Sequence, residues 1–281
     1  MTRIAIHGAA GRMGQRLVAL ASADCDLKLV AALDAGNHPR LGQDAGLLAG
    51  VGELGVPLVG KLDAPVDVVI DFSAPAGAAT ILETCLSRGT PLVLATTGLD
   101  AAQQARVRDA SQRIAVLWSP SMSLAVNLAM KLSAVAAEAL KDHASGADVE
   151  IIERHHRYKE DSPSGTALKF GEIIAGVMGQ KNRRHGREGR VGARPHDEIG
   201  YHAVRVGDNP GEHTIIFGLL GETLEITVKA TNRDCYAYGA LAAAKFLSGK
   251  PPGLYGMQDV LEGETWPNAN KAISATFVAA M

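Results

Sequence analysis

The segment from Glu153 to Ala167 carries the residue types best suited to proton transfer. It reads Glu-Arg-His-His-Arg-Tyr-Lys-Glu-Asp-Ser-Pro-Ser-Gly-Thr-Ala, with two histidines and a lysine within five positions. Histidine exchanges a proton close to neutral pH, and a nearby lysine can fix a carboxylate and help to hold a proton donor in place. We therefore interpret this segment as the centre of a reaction that acts on a small dicarboxylate.

The end of the same segment predicts an anion-binding turn. Ser164-Gly165-Thr166 opens a helix, where backbone N–H groups without helical partners can capture an anion. Two structural alternatives stand beside this interpretation. A His-His pair can ligate a metal, but no third ligand follows at helical spacing, so we expect no metal site. The run can also be a solvated charged loop, with Asp161 capping or bracing it.

A second motif, close to the start of the chain, predicts a dinucleotide site. Glycines 8, 11 and 14 form a G-x-x-G-x-x-G turn between a predicted strand and a predicted helix. Such a turn lets the backbone approach a pyrophosphate at the helix N-terminus. Asp34 follows the second predicted strand about 20 residues later, where an acid can bond ribose hydroxyls. A surface aspartate at a strand end is the alternative interpretation of Asp34.

Further loops at strand ends should lie on the same edge as this turn, because ligands of open α/β sheets bind outside the carboxyl ends of the strands. These loops follow the third, fourth and fifth predicted strands. They are Phe72-Ser73-Ala74-Pro75, Ala95-Thr96-Thr97-Gly98 and Ser119-Pro120-Ser121-Met122.

The pattern of predicted strands and helices that must position these residues changes near residue 123. Before it, apolar strands alternate with helices, which is typical of a Rossmann-like, doubly wound parallel sheet. After it, a long helix, a helix at Ser164 and several strand-like runs predict an α+β domain with an open, mixed, largely antiparallel sheet. A last helix, Tyr236 to Leu247, resembles the first half. We therefore predict a dinucleotide-binding domain at 1–126 with 236–281 returning to it, and a substrate-binding domain at 127–235.

Composition excludes several other classes of protein. The formal net charge is −2, without the clustered basic excess of a nucleic-acid-binding protein. The most apolar run, Leu124 to Leu140, is interrupted by charged residues and is short for a membrane span. With no signal peptide visible, we expect a cytoplasmic protein. The basic run from Lys181 to Arg194 is either a solvated loop or a segment that closes over a dianionic substrate.

The motif E-x-H-H-x-x-K-x-D-x-P-S-G-T-A resembles the signature of the dihydrodipicolinate reductase family, and similarity in order extends from about Thr2 to Leu261. The further segments that resemble the family are Gly8-Ala9-Ala10-Gly11-Arg12-Met13-Gly14, Asp71-Phe72-Ser73, Ala95 to Gly98, Ser121-Met122-Ser123 with Asn127, Arg205 to Thr214, and Gly256 to Val260.

The resemblance implies a role for each matched residue. It implies that His155 is the general acid, that Lys159 is a proton donor, and that His156 contacts the substrate. It also implies that Gly165 and Thr166 bind a carboxylate and that Arg233 lies near the substrate pocket. The implied reaction is hydride transfer from NADH or NADPH to 4-hydroxy-tetrahydrodipicolinate, or to its dehydrated form, in lysine and diaminopimelate synthesis. The implied assembly is a homotetramer built through the sheets of the C-terminal domains.

Two departures from the family pattern matter. Members that use NADPH well often carry arginine directly after the strand-end acid, whereas this chain has Ala35, with His38 and Arg40 further on. Because Asp34 would repel a ribose phosphate, we predict a preference for NADH. The chain also continues to Met281, past the usual end near Leu261, and this tail receives no functional assignment.

Two other functions are compatible with the same two-domain plan. One is a different amino-acid dehydrogenase, such as an aspartate dehydrogenase. The other is a catalytically silent protein that senses redox state by binding a dinucleotide. The sensor hypothesis would leave the histidines, Lys159 and the Ser-Gly-Thr turn without a purpose. Substrate-dependent loss of NADH absorbance distinguishes it from an enzyme.

Overall fold

The computed structural model describes residues 1–144 and 146–263. Its internal contacts divide the chain into two compact units. Unit 1 comprises Met1–Leu124 together with the chain from Tyr236 onward, and unit 2 comprises Ala125–Cys235. Each unit has a sheet of its own.

Unit 1 is built on a seven-stranded sheet whose pairings are all parallel, in the order β12-β6-β5-β4-β1-β2-β3. The strands are β1 (Thr2–His7), β2 (Leu27–Leu33), β3 (Leu58–Val59), β4 (Val68–Asp71), β5 (Leu92–Leu94), β6 (Ala115–Trp118) and β12 (Gly253–Tyr255). The helices are α1 (Arg12–Ser22), α2 (Ala45–Ala49), α3 (Pro75–Arg88), α4 (Ala101–Ser111), α7 (Asp234–Leu247) and α8 (Met257–Gly263).

The sheet of unit 1 is apolar on both faces because both are covered by helices. Side chains alternate along β1, so Ile4 and Ile6 pack in one core cluster while Ala5 packs in the other. The first cluster includes Leu17 of α1 and residues of α7 such as Ala237 and Leu247. The second includes residues of α3 and α4 such as Ile81 and Val107. A parallel sheet between two helical layers leaves the carboxyl ends of its strands as one shared edge.

Local sequence signals set where these helices begin and end. Asp100 starts α4 with a capping box: its side chain accepts from the backbone of Gln103, and the Gln103 side chain reaches back. Gly89 ends α3 in the left-handed conformation, with φ of 64°, which glycine adopts without a steric cost.

Unit 2 is a five-stranded sheet in the order β11-β10-β7-β9-β8, with two helices. Its elements are α5 (Leu124–Leu140), β7 (Asp148–His155), α6 (Gly165–Met178), β8 (Asn182–His185), β9 (Glu198–Arg205), β10 (Glu212–Leu219) and β11 (Glu222–Lys229). On one face Val149, Ile151 and Phe217 form a core with residues of α5 and α6, including Phe170.

The predicted fold class is confirmed, with a refinement in unit 2. Its sheet is mixed, as predicted. Two pairings are antiparallel (β10 with β11 and with β7), and two are parallel (β9 with β7 and with β8). The expectation of a largely antiparallel sheet therefore overstated the antiparallel share. The cause is β8, a strand of four exposed polar residues inside the basic run that lacks the apolar alternation from which strands are predicted.

Two arginines in the remaining part of the basic run form ion pairs within unit 2. Arg187 contacts Glu150 and Glu198, and Arg194 contacts Asp148 and Glu150. For Arg187 and Arg194, these contacts do not support the hypothesis that the basic run closes over a dianionic substrate. The tail beyond residue 263 lies outside the described residues. Within the described residues, no helix is long and apolar enough to cross a membrane.

Gly239 in α7 gives a test of how tightly unit 1 is packed. A Cβ at this position would overlap the backbone carbonyl of Met122, which cannot move as a flexible side chain can. Gly239→Ala should therefore lower the free energy of unfolding by about 1–3 kcal/mol, the usual cost of overpacking. Denaturant unfolding followed by circular dichroism measures the change.

Gly176 in α6 is the matched control, because a Cβ there meets nothing within 4 Å. Gly176→Ala should stabilise the protein by about 0.5–1 kcal/mol, since alanine loses less backbone entropy in a helix. Equal effects of the two substitutions would contradict the packing described for α7.

Candidate active site

The cluster of acid–base groups in unit 2 is organised by the alternation of β7. Because β7 continues to its last residue, His155, the side chains of Glu153 and His155 point to the same face as Val149 and Ile151. Both are buried, with exposures of 1% for Glu153 and 8% for His155. On the neighbouring strand β10, His213 stands directly opposite Glu153. Three ionisable side chains therefore meet where β7 ends and β10 begins.

The Glu153 carboxylate is the most heavily bonded group of this cluster. Arg205, the last residue of β9, donates to both oxygens, from Nη1 to Oε2 and from Nη2 to Oε1, each at 2.8 Å. The backbone N–H of Ser164 donates to Oε1 at 3.1 Å. Burial alone would raise the pKa of Glu153, but the hydrogen bonds from Arg205 and His155 outweigh it and hold the pKa below its usual value. The side chain is therefore a buried carboxylate at neutral pH.

This carboxylate fixes the tautomer of His155. The Nδ1 atom lies 2.6 Å from Glu153 Oε2, and an ionised carboxylate can only accept, so Nδ1 carries the proton. Burial lowers the pKa of His155, and the charge of Glu153 opposes that effect. The second nitrogen, Nε2, faces Gly211, where an added Cβ would stand only 3.0 Å away. The glycine therefore leaves space at the atom through which His155 can exchange a proton.

His213 is a neutral histidine that packs against His155. Its Nε2 lies 2.9 Å from Ser164 Oγ, which already accepts the N–H of Ala167 at the start of α6. The Ser164 hydroxyl and His213 Nε2 therefore share a hydrogen bond whose donor is set by the tautomer of His213. Burial lowers the pKa of His213 to about 4, and the neighbouring His155 adds to this effect. The two rings meet edge to face, with centroids 5.2 Å apart.

Lys159 lies in the loop that follows β7. Its Nζ donates to both oxygens of Asp161, at 2.7 and 2.9 Å, and this pairing lowers the pKa of Asp161. Arg205 also binds the loop backbone, through Nε to the carbonyl of Lys159 at 3.3 Å and through Nη2 to the carbonyl of Asp161 at 2.6 Å. The guanidinium of Arg205 thus connects Glu153 to the segment that carries Lys159.

His156, Gly165 and Thr166 offer groups that a carboxylate could bind. The backbone N–H of His156 donates to Asn209, while its ring Nδ1 is buried with no hydrogen-bond partner among the described residues. Gly165 and Thr166 form the first turn of α6, where Ser164 caps only the N–H of Ala167. The first-turn N–H groups of a 14-residue helix suit an anion.

Arg233 is not part of this cluster. It is an exposed residue in the turn before α7, and within the described residues no hydrogen bond or ion pair joins it to the histidines or to Lys159. Three residues that do belong to the cluster, Glu153, Arg205 and His213, were given no role from the sequence. Their signal was weak, because Arg205 lies 52 positions from Glu153 along the chain.

The candidate dinucleotide site lies in unit 1, at the carboxyl ends of its parallel strands. Gly8 follows β1 with φ of 79°, and a Cβ there would stand 2.5 Å from the carbonyl oxygen of Phe72. A Cβ at Gly14 would overlap the Gly8 carbonyl. Gly11 precedes α1, and no side chain caps that helix. The turn, which includes Ala9, Ala10, Arg12 and Met13, thus presents first-turn N–H groups as a diphosphate needs.

Asp34 is fixed beside this turn. One oxygen accepts the N–H of Ala10 at 3.0 Å and the other accepts the N–H of Ala35 at 2.9 Å. The acid predicted to bind a ribose therefore lies next to the predicted phosphate turn, at the end of β2. This donor set and the glycine cradle fit a nicotinamide dinucleotide.

A buried carboxylate, Asp71, links the loops that follow three adjacent strands. It is bonded to His7 Nδ1 at 2.6 Å, to Ser73 Oγ at 2.7 Å and to Thr96 Oγ1 at 2.5 Å. Sequence reasoning assigned no role to His7 or Asp71. The network holds in place the loops that contain Phe72 and the stretch from Ala95 to Thr97.

The last predicted cofactor loop follows β6. It runs from Ser119 through Pro120 and Ser121 to Met122, and Ser119 Oγ donates to the carbonyl of Ser121 at 2.7 Å. All the predicted cofactor residues thus lie in unit 1 after the ends of parallel strands, whereas His155, His156, Lys159, Gly165 and Thr166 lie in unit 2.

Comparison with known proteins finds relatives along most of the chain. The model "Dihydrodipicolinate reductase, N-terminus" matches residues 2–122, and "Dihydrodipicolinate reductase, C-terminus" matches residues 125–261. A protein of Rhodopirellula baltica named 4-hydroxy-tetrahydrodipicolinate reductase is 56% identical over 266 residues, which cover 92% of this chain and 95% of that protein. One of the same name from Syntrophotalea carbinolica is 46% identical, over 93% of this chain and 99% of that protein.

A solved structure of a dihydrodipicolinate reductase has the same fold as this chain. It is a dihydrodipicolinate reductase of Paenisporosarcina sp. TG-14 with dipicolinate bound, which superposes with a TM-score of 0.75 at 27% identity. The match covers 92% of this chain and 99% of that one. Taken with the matched models, this finding shows that the chain belongs to the dihydrodipicolinate reductase family.

Proposed function

We propose that this chain reduces 4-hydroxy-tetrahydrodipicolinate, or its dehydrated form, to tetrahydrodipicolinate in the diaminopimelate route to lysine, and that it works in the cytoplasm. The proposal depends most on one observation: buried His155 lies beside the Glu153 carboxylate, with Nε2 facing a glycine. The relatives named 4-hydroxy-tetrahydrodipicolinate reductase support the substrate, as does the dipicolinate bound to the solved relative.

The residues of unit 2 divide the work of proton transfer and carboxylate binding. We assign His155 as the general acid that donates from Nε2, and Lys159, whose Nζ donates to Asp161, as a second proton donor. His156 is assigned to contact the substrate by resemblance, and the first-turn N–H groups at Gly165 and Thr166 bind a carboxylate. Arg233, exposed before α7, is assigned to the substrate side by resemblance alone.

The residues of unit 1 have the task of binding the nicotinamide dinucleotide. When bound, the cofactor supplies the hydride. The turn from Gly8 to Met13 holds the diphosphate, Asp34 holds the adenosine ribose, and Phe72, Ala95 to Thr97 and Ser119 to Met122 border the nicotinamide half. Unit 1 is therefore the proposed dinucleotide-binding domain, and unit 2 is the proposed substrate-binding and oligomerisation domain.

We infer a preference for NADH from the surroundings of Asp34. Its two oxygens are held in place by the N–H groups of Ala10 and Ala35, so the carboxylate cannot easily turn away from a ribose phosphate. The next residue, Ala35, offers no positive charge to a phosphate. NADPH would therefore meet a fixed negative group with no adjacent arginine.

The general-acid assignment is tested by His155→Ala. Turnover should fall by about 10²–10⁴-fold, the usual contribution of a general acid, while NADH binding stays close to normal. Stopped-flow loss of NADH absorbance gives the first quantity, and fluorescence titration gives the second. Full turnover in the variant would remove His155 from the reaction. NADH binding without any substrate-dependent turnover in the unaltered protein would favour the redox-sensor function instead.

Cofactor choice is tested by comparing kcat/KM for NADH and NADPH in the unaltered protein and in Ala35→Arg. The unaltered protein should prefer NADH. The added guanidinium should raise kcat/KM for NADPH about tenfold, equivalent to about 1.4 kcal/mol of new phosphate binding. Arg40→Ala is the control and should change neither value much. A strong NADPH preference in the unaltered protein would contradict the role given to Asp34.

We also propose that the chain forms a homotetramer through the sheets of unit 2. The face opposite α5 and α6 exposes two apolar side chains at adjacent strands, Ile152 on β7 and Val204 on β9. Sedimentation velocity should give about four times the mass of one chain, and Ile152→Glu should reduce it because a charge would then have to be buried. A monomeric unaltered protein would refute this assembly.

A further inference from the structure

We propose that Glu153 and Arg205 form a positioning pair that sets both proton donors of the reaction, His155 through its ring and Lys159 through its loop. The inference rests on the proposed function, because it gives these two residues a task within the same site. Neither residue is assigned to touch the substrate. They act through the groups that do.

The first half of the pair acts on the His155 ring. The Glu153 carboxylate accepts from Nδ1 at 2.6 Å, which defines the rotation of the ring and leaves Nε2 as the exchanging atom. A carboxylate behind a histidine also stabilises the doubly protonated ring that must form before the proton is donated. With an exposure of 1%, Glu153 exerts this effect with little screening by water.

The carboxylate can orient His155 only because it is itself immobile. Arg205 grips both of its oxygens in a two-bond arrangement, and the backbone N–H of Ser164 adds a third bond from the start of α6. Bidentate pairing of this kind fixes the plane of the carboxylate as well as its position. The orientation of His155 is therefore tied to β9 and to the helix that carries Gly165 and Thr166.

The second half of the pair acts on Lys159. The same guanidinium donates to the carbonyls of Lys159 and Asp161, so it holds the loop at both ends of the Lys159–Asp161 ion pair. The Arg205 side chain therefore holds the loop that carries Lys159 next to Glu153, the partner of His155. Lysine in place of Arg205 would keep the charge but could not make these bonds at once, since it lacks the planar fork.

The charges around His155 give the pair a signature in the pH profile. The groups that act on it are Glu153 on its own strand, Arg205 on β9, His213 on β10 and Lys159 in the following loop. Glu153 raises the His155 pKa, whereas burial, Lys159 and Arg205 lower it. Removing the Glu153 charge must therefore shift the loss of the His155 proton to lower pH, and with it the alkaline fall in kcat/KM.

The test begins with Glu153→Gln, which keeps the shape of the side chain and removes its charge. We expect kcat to fall about 10–100-fold, part of the 10²–10⁴ that a general acid supplies, with the alkaline limb moved to lower pH. NADH affinity should not change. Glu150→Gln is the matched control: it removes a carboxylate of the same strand that pairs with Arg187, Arg194 and His202 on the opposite face, so the limb should stay in place.

A double-mutant cycle separates positioning from a merely structural role. If Glu153 acts through His155, then adding Glu153→Gln to His155→Ala should change kcat less than about twofold, because the effects of coupled residues are not additive. Arg205→Lys should lower kcat in both backgrounds, since it also loosens the loop of Lys159. Thermal unfolding shows whether Glu153→Gln folds. If it does not, Arg205→Lys takes its place as the test.

The outcomes distinguish this inference from the proposed function. Additive effects of Glu153→Gln and His155→Ala, or an unmoved pH limb, would overturn the positioning pair and leave His155 as the acid. Full turnover in His155→Ala would overturn the general-acid assignment and the pair together. For Arg205→Lys, an unchanged kcat in the His155→Ala background would refute the link to Lys159.

Discussion

The buried charge of Glu153 is the constraint on which the arrangement of unit 2 depends. A carboxylate at 1% exposure is costly unless it is fully bonded, and here Arg205, His155 and the backbone of Ser164 provide the bonds. Each of these partners belongs to a different element: the end of β9, the end of β7 and the start of α6. To satisfy one charge, the fold must bring these three ends together, and they are the ends that carry or precede the residues proposed to act on the substrate.

A similar principle operates in unit 1 with a different carboxylate. Asp71 is hydrogen-bonded to the last residue of β1 and to residues that follow β4 and β5. The glycines of the first turn allow these segments to lie in close contact. In both units a buried acid organises residues at strand ends, and other residues of the neighbouring loops are the ones proposed to bind the ligand. The proposal that unit 1 binds the cofactor and unit 2 donates the proton thus corresponds to two separately organised sets of loops.

Many features of the fold and of the two candidate sites could be predicted from local sequence. The glycine turn, Asp34 at the end of β2 and Ser164 at the start of α6 obey rules that operate over a few residues, so their positions followed from spacing alone. The approach of Arg205 and His213 to Glu153 could not be found in this way. Arg205 and His213 approach it through strand pairing over long separations, and register is set by tertiary packing. One local signal was available: the alternation of β7 continues through Glu-Arg-His and places Glu153 and His155 on one face.

The most direct test of the account is the protonation state of His155 itself. In protein labelled with ¹⁵N in its histidine rings, NMR at pH 8 should show His155 as a neutral ring with its proton on Nδ1, hydrogen-bonded to Glu153. The same resonances in Glu153→Gln should show a lower pKa. A His155 ring with its proton on Nε2 at pH 8, or a pKa unchanged by the substitution, would contradict the central role given to the Glu153 carboxylate.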